Sequence, residues 1–555
     1  MKISGANAIV ECLLEQGVDT VFGYPGGRIL PLYDALYNGA IRHIRTSHEQ
    51  GAIHAADGYA RASGRVGVCI ATSGPGATNL VTGLANAYLD SVPVVVITGQ
   101  VSTNLIGADA FQEVDIYGIT MPITKHNFLV KDADALPGII RSAFSIACSG
   151  RPGPVLIDIP SDIQTSMIEF CSQDKNIAPS PQLQLSEYGS ALVNKAVADI
   201  GSAKQPVMIV GGGAISEGIP EQVIGLAEKL DIPVVSTLMG LGVFPTDHPQ
   251  FLGMTGMHGS KVANHAIHGA DVVIAIGSRF SDRVTNNTVI YAEGKRVIHI
   301  DVDPAELDKN IPSHIGLSGN LEQLLPILNE RIQDAAQTQW WKVIKQWQEK
   351  FKEDHRTEVL TAPWMLRRLS EAAAGQPYIF TTDVGQHQMW AAQNLNLREP
   401  RSWITSGGLG TMGFGLPAAI GAQVAEPEKR TICIVGDAGI KMTGCELFTV
   451  ASENLPLITI IVDNSCLGMV RQLQHLFWNQ HYSATLAPAE VNFVYFAKAF
   501  GIEGHLATTQ EEFNQVLSVA LASDKASVIV VKIPQEDLVA PMLMPNGPLN
   551  TFVDI

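Results

Sequence analysis

The chain has 555 residues, 46% of them hydrophobic and 16% charged, with a formal net charge of −17. It is too long for one core and long enough for about three domains of ordinary size. The acidic balance excludes a nucleic-acid or anionic-membrane surface, since either needs a basic face.

The opening MKISGANAIVECLLEQGV alternates polar and apolar residues at helical spacing, so it reads as an amphipathic helix and not as a signal peptide. No run reaches the length of a membrane span. Seven cysteines without CxxC spacing form the odd, scattered set that a reducing cytosol permits, and a cytoplasmic location is expected. Over residues 1–170, β-branched runs at Val66–Ala71, Val92–Thr98 and Val155–Ile159 alternate with helix-like segments, which predicts a doubly wound α/β domain. Glycine clusters stand at its strand ends, in Tyr24-Pro25-Gly26-Gly27 and Ser73-Gly74-Pro75-Gly76. Glycine there lets the backbone turn sharply or approach a ligand. Neither cluster is GxGxxG, so the nicotinamide fingerprint is missing. Glu49 heads an Ala/Gly-rich helical pattern, where a carboxylate is by itself only a charge favoured by the helix dipole.

Residues 171–190 are rich in Pro, Ser, Gln and Lys and read as a linker. A second open α/β sheet is expected over 191–335, with strands at Pro206–Val210, Val234-Val235, Val272–Ile276 and Val297–Ile300. Its carboxyl rim would carry Gly212 and Gly213, Thr237-Leu238-Met239, His258, and the run from Gly277 to Arg283. Arg279 and Arg283 after a strand can clamp a diphosphate. A solvated loop paired to Asp282 is the plainer alternative. Asp301 and Asp303, ending a further strand, suit a ribose or adenine, and Asn320 the same. The charged segment running on to residue 361 reads as connecting helix, set at 336–361, with Trp340, Trp341 and Trp347 packing.

A third α/β domain is expected over 362–534, followed by a tail at 535–555. Its strand Tyr378–Thr381 leads into Asp383-Val384-Gly385-Gln386-His387, whose N–H groups and imidazole suit a diphosphate. The stretch Gly436–Asn464 organises the rest. Two apolar runs, Thr431–Val435 and Ile458–Val462, bracket a helix-sized segment, so Gly436, Asp437, Ala438, Gly439 and Asn464 should share one rim of a parallel sheet. A carboxylate at Asp437, the amide oxygen of Asn464 and a nearby carbonyl at Cys466 are hard ligands suited to Mg²⁺.

The pattern GD, 26 residues, then Asn, together with HEQGAIHAADGYARASG around Glu49, resembles the signature of thiamine diphosphate (ThDP) enzymes. With Ala110-Phe111-Gln112-Glu113, Thr124-Lys125-His126, Gly150-Arg151-Pro152-Gly153-Pro154 and Gly468-Met469-Val470-Arg471-Gln472, the chain resembles acetohydroxyacid (acetolactate) synthase catalytic subunits from Met1 to about Pro534. The resemblance implies three open doubly wound parallel-sheet domains: a ThDP pyrimidine-binding domain, a central FAD-binding-like domain and a ThDP diphosphate- and Mg²⁺-binding domain. It implies decarboxylation of pyruvate and transfer of the hydroxyethyl unit to a second 2-keto acid, in branched-chain amino acid or acetoin pathways. Glu49 would hydrogen-bond the aminopyrimidine ring nitrogen and relay its proton, Gly410 would hold the 4′-amino group, and Met412 would wedge between the two rings. Gly27, Phe111 and Gln112 complete the implied catalytic set. Gly385, Gln386, His387, the Gly436–Gly439 turn and Met469 would lie against ThDP. Arg151, Gly212, Gly213, Thr237, Leu238, Met239, His258, Arg279, Asp282, Arg283, Asp301 and Asn320 would hold FAD, with Ser281 standing where the family has an Asp. A homodimer or tetramer, with each site shared between subunits, and a separate regulatory subunit are implied as well.

Three positions depart from the family pattern: Arg28 replaces a small residue, Ser161 a Lys and Leu473 a Trp. A gained cation and a lost aromatic wall change ligand preference. A weak preference for 2-ketobutyrate, or another acceptor, is the expectation. A flavin or nicotinamide oxidoreductase would leave Glu49 and Asn464 without a role, and a non-catalytic relative would be expected to lose Glu49, Asp437 or Asn464.

Overall fold

The computed structural model describes residues 1–37, 39–173, 186–352, 356–487 and 489–555. Three six-stranded sheets carry the chain, each parallel throughout. The first runs Arg42–Arg45, Thr20–Gly23, Gly67–Ala71, Val94–Gln100, Val155–Pro160, His126–Leu129. The second runs Phe251–Met254, Val234–Ser236, Pro206–Val210, Val272–Ile276, Arg296–Asp301, Ile315–Ser318. The third runs Trp403–Ile404, Tyr378–Thr382, Arg430–Gly436, Ile458–Asp463, Ser527–Lys532, Glu503–Ala507. Central strands such as VVVITGQ, VVIAI and ITIIVD are buried at every residue. Helices cover both faces of a parallel sheet, so an uninterrupted apolar run is what its strands require.

The expected strands are present with shifted ends. The Val94–Gln100 strand starts past Pro93, which has no N–H to give a ladder, and continues to Gln100 because Gly99 and Gln100 pair with Ile159 and Pro160. The helix-sized segment after Asp437 is broken into Asp437–Thr443, a 3₁₀ turn at Gly444–Glu446, and Leu447–Ser452. The break turns Glu446 inward, where its carboxylate accepts the N–H groups of Ser47 at 3.0 Å and His48 at 3.1 Å.

That contact belongs to a broad seam between the first and third domains. The Glu49–Ser63 helix crosses the Gly415–Ala425 helix, and a Cβ at Gly58 or Gly421 would collide with the other helix's backbone. Glycine and alanine let the two backbones touch, and Ala52, Ala55, Ala56 and Tyr59 share one core with Leu416, Ala419 and Ile420.

The linker expected over 171–190 lies largely outside the described residues, and its end already belongs to the Glu187–Gly201 helix. Two helices follow the second sheet. Leu321–Arg331 buries Leu321, Leu324, Leu325 and Leu328 in the middle domain, and Thr338–Lys350 packs on the same domain through Trp340, whose Nε1 donates to Pro206 O at 3.1 Å. Trp347 meets Trp340 edge-on at 5.5 Å, so the tryptophans do pack. In the tail, Val539 N donates to Gln472 Oε1 at 2.8 Å, and Leu543 and Leu549 are buried against the middle domain. Among the described residues no helix is long and apolar enough to cross a membrane.

Candidate cofactor and active site

Strands Arg430–Gly436 and Ile458–Asp463 are neighbours, with Gly436 opposite Val462, and Tyr378–Thr382 flanks them. Their carboxyl ends therefore deliver Asp383–His387, Gly436–Gly439 and Asn464 to one rim. A cleft there is lined by Gly385, Gln386, His387, Met412, Gly436, Asp437, Ala438, Gly439, Asn464, Cys466 and Met469, all of them expected from the sequence. Val384, Trp390, Val462 and Leu467–Val470 complete it.

The cleft suits an anion bound through a metal. The helices Gln386–Asn394 and Gly468–Phe477 both begin at its wall, so their free N–H groups and positive dipole ends face it. The ring of His387 lies against Gly385 and Gly436, where an added Cβ would stand 3.0 Å from ring atoms. Its Nε2 is buried without a partner, and burial pushes the imidazole down to about 4, so it is neutral and has a polar atom to offer. Among the described residues Asp437 is the only acid lining the cleft, and Lys441 Nζ reaches it at 3.4 Å. Burial, then the neighbouring charge of Asp463, pushes its carboxyl up to about 6, so a divalent cation would relieve it. Asn464 donates its amide N–H to Gln386 Oε1 at 3.0 Å, which leaves its own carbonyl oxygen for a metal. Burial pushes the Cys466 thiol up to about 11, so this residue fits a metal through its backbone carbonyl and not as a thiolate. The donor set and the orphaned imidazole thus fit Mg²⁺ and a diphosphate.

Glu49 is elsewhere. It opens its helix as expected, is 9% exposed, and its Oε2 accepts from Asn79 Nδ2 at 2.9 Å. Every residue lining the Asp437 cleft falls between 384 and 470, so one chain does not bring Glu49 into it. Gly27 has open space around it, Phe111 is 80% exposed, and Gln112 adopts a left-handed φ of 61° against Gly74. These groups stand on the first domain. Gly410 has φ 72° and only Val384 near it, at 3.9 Å from a built Cβ.

The three departures are divided in the same way. Arg28 and Ser161 are neighbours on the first domain, since Gln164, on the Ser161–Thr165 helix, donates to Arg28 O at 2.9 Å. Among the described residues the Arg28 guanidinium has no hydrogen bond or ion pair, and Ser161 Oγ meets Ser102 Oγ at 3.0 Å. Leu473 lies on the third domain, 37% exposed on the Gly468–Phe477 helix.

On the middle rim, Gly213 packs on the Gly277 backbone, Gly212 touches Met239, and Thr237 caps the Leu238–Gly240 turn. Three buried polar atoms there, Ser236 Oγ, His258 Nδ1 and Ser278 Oγ, have no partner, which fits a polar ligand on this rim. Burial pushes Asp301 up to about 6, while Asn320 caps the following helix. The two arginines diverge: Arg279 donates to Leu89 O of the first domain, and Arg283 stays exposed beside Asp282 and Met257. Arg151 is held by Glu306 at 2.5 Å and Ser91 Oγ at 2.7 Å.

Sequence reasoning missed three supports. Asp383 accepts from Gly413 N at 2.9 Å and Gly415 N at 3.0 Å, fixing the turn that carries Met412. Gln472 joins Gln386 to Val539 of the tail, and Glu446 caps the Glu49 segment. An acid directly after a strand was the available signal for Asp383.

Residues 3–119, 193–328 and 383–531 match the N-terminal TPP binding, central, and C-terminal TPP binding domains of thiamine pyrophosphate enzymes, respectively. The chain is 46% identical over 554 residues to the acetolactate synthase isozyme 2 large subunit of Escherichia coli K12, covering 98% of each chain. It is 42% identical to the acetolactate synthase large subunit of Haemophilus influenzae, over 100% of this chain and 98% of that one. A probable acetolactate synthase large subunit of Methanocaldococcus jannaschii is 44% identical over 99% and 95% of the two chains.

Proposed function

Since this chain belongs to the acetolactate synthase large-subunit family of thiamine pyrophosphate enzymes, we propose that it decarboxylates pyruvate and joins the two-carbon remainder to a second 2-keto acid at the Asp437 cleft. The observation that carries this reading is the meeting of Asp437, Asn464, Met412 and the unpartnered His387 Nε2 in one cleft at a sheet's carboxyl rim. Bound ThDP supplies a carbon nucleophile and an electron sink. Asp437, Asn464 and the Cys466 carbonyl hold Mg²⁺, and His387 with the two helix N-termini orients the diphosphate. Met412 and the Gly410 carbonyl would hold the aminopyrimidine, and Glu49 would give and take the proton at its ring nitrogen. Release of CO₂ from pyruvate that requires both ThDP and Mg²⁺ tests the reading, and release without either cofactor would overturn it.

The separation of Glu49 from the Asp437 cleft supports a site built across two subunits, so the working unit is at least a dimer. Gly27, Phe111 and Gln112 would then face the cleft from the partner, as would Arg28 and Ser161. The unpaired Arg28 guanidinium supports an acceptor carrying a carboxylate, and Leu473 supports a weak preference for 2-ketobutyrate. The orphaned polar atoms of the middle rim support FAD there, with Arg151, Gly212, Gly213, Thr237, Leu238, Met239, His258, Arg279, Asp282, Arg283, Asp301 and Asn320 as its holders. Flavin absorbance in the purified protein tests this part. Relatives named large subunits support a separate small subunit, and seven scattered cysteines without CxxC spacing suit the reducing cytoplasm.

A further inference from the structure

The loop that carries Gly410 is held mainly by another domain. Three buried or nearly buried side chains of the first domain, Asp57, Arg61 and Asp90, form an acid–base–acid row, with Arg61 at 2.5 Å from Asp57 and 2.9 Å from Asp90. Asp90 spends its oxygens on the loop: Gly408 N donates to Oδ1 at 2.7 Å and Gly407 N to Oδ2 at 3.1 Å. Arg61 Nη1 donates to Thr405 O at 3.0 Å. Asn86, tied to Asp57 at 3.0 Å, accepts from Ser406 Oγ at 2.6 Å and Thr411 Oγ1 at 3.0 Å, and Ser406 Oγ in turn receives Thr411 N at 2.9 Å. The other end, at Gly413 and Gly415, is fixed by Asp383. Between these anchors Gly408, Leu409 and Gly410 are exposed and Met412 is half-buried.

A buried charge row is a poor way to add stability, because apolar residues of the same volume do as well. What it supplies is direction, since each donor must point at one oxygen. We propose that Asp90, Arg61 and Asn86 are positioning residues that aim the Gly410 carbonyl at the 4′-amino group of the cofactor; this rests on the placement of Gly410 proposed above. Arg61 stands on the helix that begins with Glu49. In a shared site, that helix would serve its partner's cofactor with its first residue and its own chain's loop with its last turn.

The test uses the full chain with Mg²⁺, and compares calorimetric affinities for ThDP and for 4′-deamino-ThDP. If Gly410 meets the amino group, the wild type binds ThDP about fivefold more tightly than the analogue, as one hydrogen bond allows. Asp90→Asn should bring that ratio close to one and lower kcat at least tenfold. A role in folding alone would leave the ratio untouched. No discrimination in the wild type would overturn the placement of Gly410 itself. Discrimination in the wild type that persists in Asp90→Asn would overturn the positioning role. Should that variant not fold, the double variant Ser406→Ala with Thr411→Val removes both of the loop's side-chain bonds to Asn86 without stranding a charge, and an unchanged ratio there refutes the proposal equally.

Discussion

Glu49→Gln should abolish most of the turnover and leave cofactor binding nearly intact. Glu49 is 9% exposed and one of its oxygens accepts from Asn79 Nδ2 at 2.9 Å. Glutamine keeps the shape, and its single carbonyl oxygen can take the Asn79 bond. The –NH₂ then occupies the position of the other carboxylate oxygen. It can donate a hydrogen bond to a ring nitrogen, but it can neither give up nor recover a proton there. The binding contact survives and the proton relay does not, so the loss is that of a general acid–base, about 10²- to 10⁴-fold in kcat. Exchange of the cofactor's C2 proton with deuterium, quenched in acid and read by NMR, should slow by a similar factor while the calorimetric affinity for ThDP changes less than about threefold. Turnover and exchange at wild-type rates would refute the assignment.

Asp437→Ala removes an acid that lines the cleft, and Mg²⁺-supported ThDP affinity should fall by more than about tenfold; normal affinity by calorimetry would remove Asp437 from the metal set. With pyruvate and 2-ketobutyrate in competition, the 2-ketobutyrate product should exceed acetolactate by less than about tenfold, and a larger excess would show that Leu473 does not set acceptor choice. Arg28→Ala should change acceptor kinetics, and unchanged values would place Arg28 outside the site. Burial pushes the carboxyl of Asp158 up to about 7, although Thr98 and Gln100 hydrogen-bond it. The fold therefore holds a proton there that the unfolded chain releases at about 4, so this group's stabilisation grows as pH falls from about 7 and is absent above it. Asp158→Asn should lose that pH dependence, worth about 2–4 kcal/mol, and denaturant melts at about pH 5 and pH 8 that differ equally in both proteins would contradict it.

Much of this architecture was legible because its signals are local. β-Branched runs mark strands that are buried on both faces, and the Gly-Asp and Asn positions mark two adjacent strand ends whose shared rim follows from the parallel crossover. Hidden features depend on partners far along the chain. Gln472 meets Val539 across 67 residues, and Glu446 meets His48 across 398; no spacing rule reaches so far. The same reason explains Arg279, which sequence spacing pairs with Arg283 and which the fold turns to Leu89. The helix after Asp437 breaks at Gly444, whose built Cβ would lie 2.8 Å from Phe496, a packing demand set by another element. The Gly410 loop carried the glycine signal but not its clamp, because Asp57, Asn86 and Asp90 look on their own like ordinary polar positions of two helices.

One mixing experiment tests the sharing of the site between subunits most directly. Glu49→Gln and Asp437→Ala proteins, each inactive alone, are dissociated together and reassembled. If each site takes Glu49 from one chain and Asp437 from the other, hybrids contain one intact site, and random reassembly restores about a quarter of wild-type carboligation by mass action between like and unlike chains. A mixture that stays inactive, although unlike chains are shown to associate, would contradict a site shared between subunits.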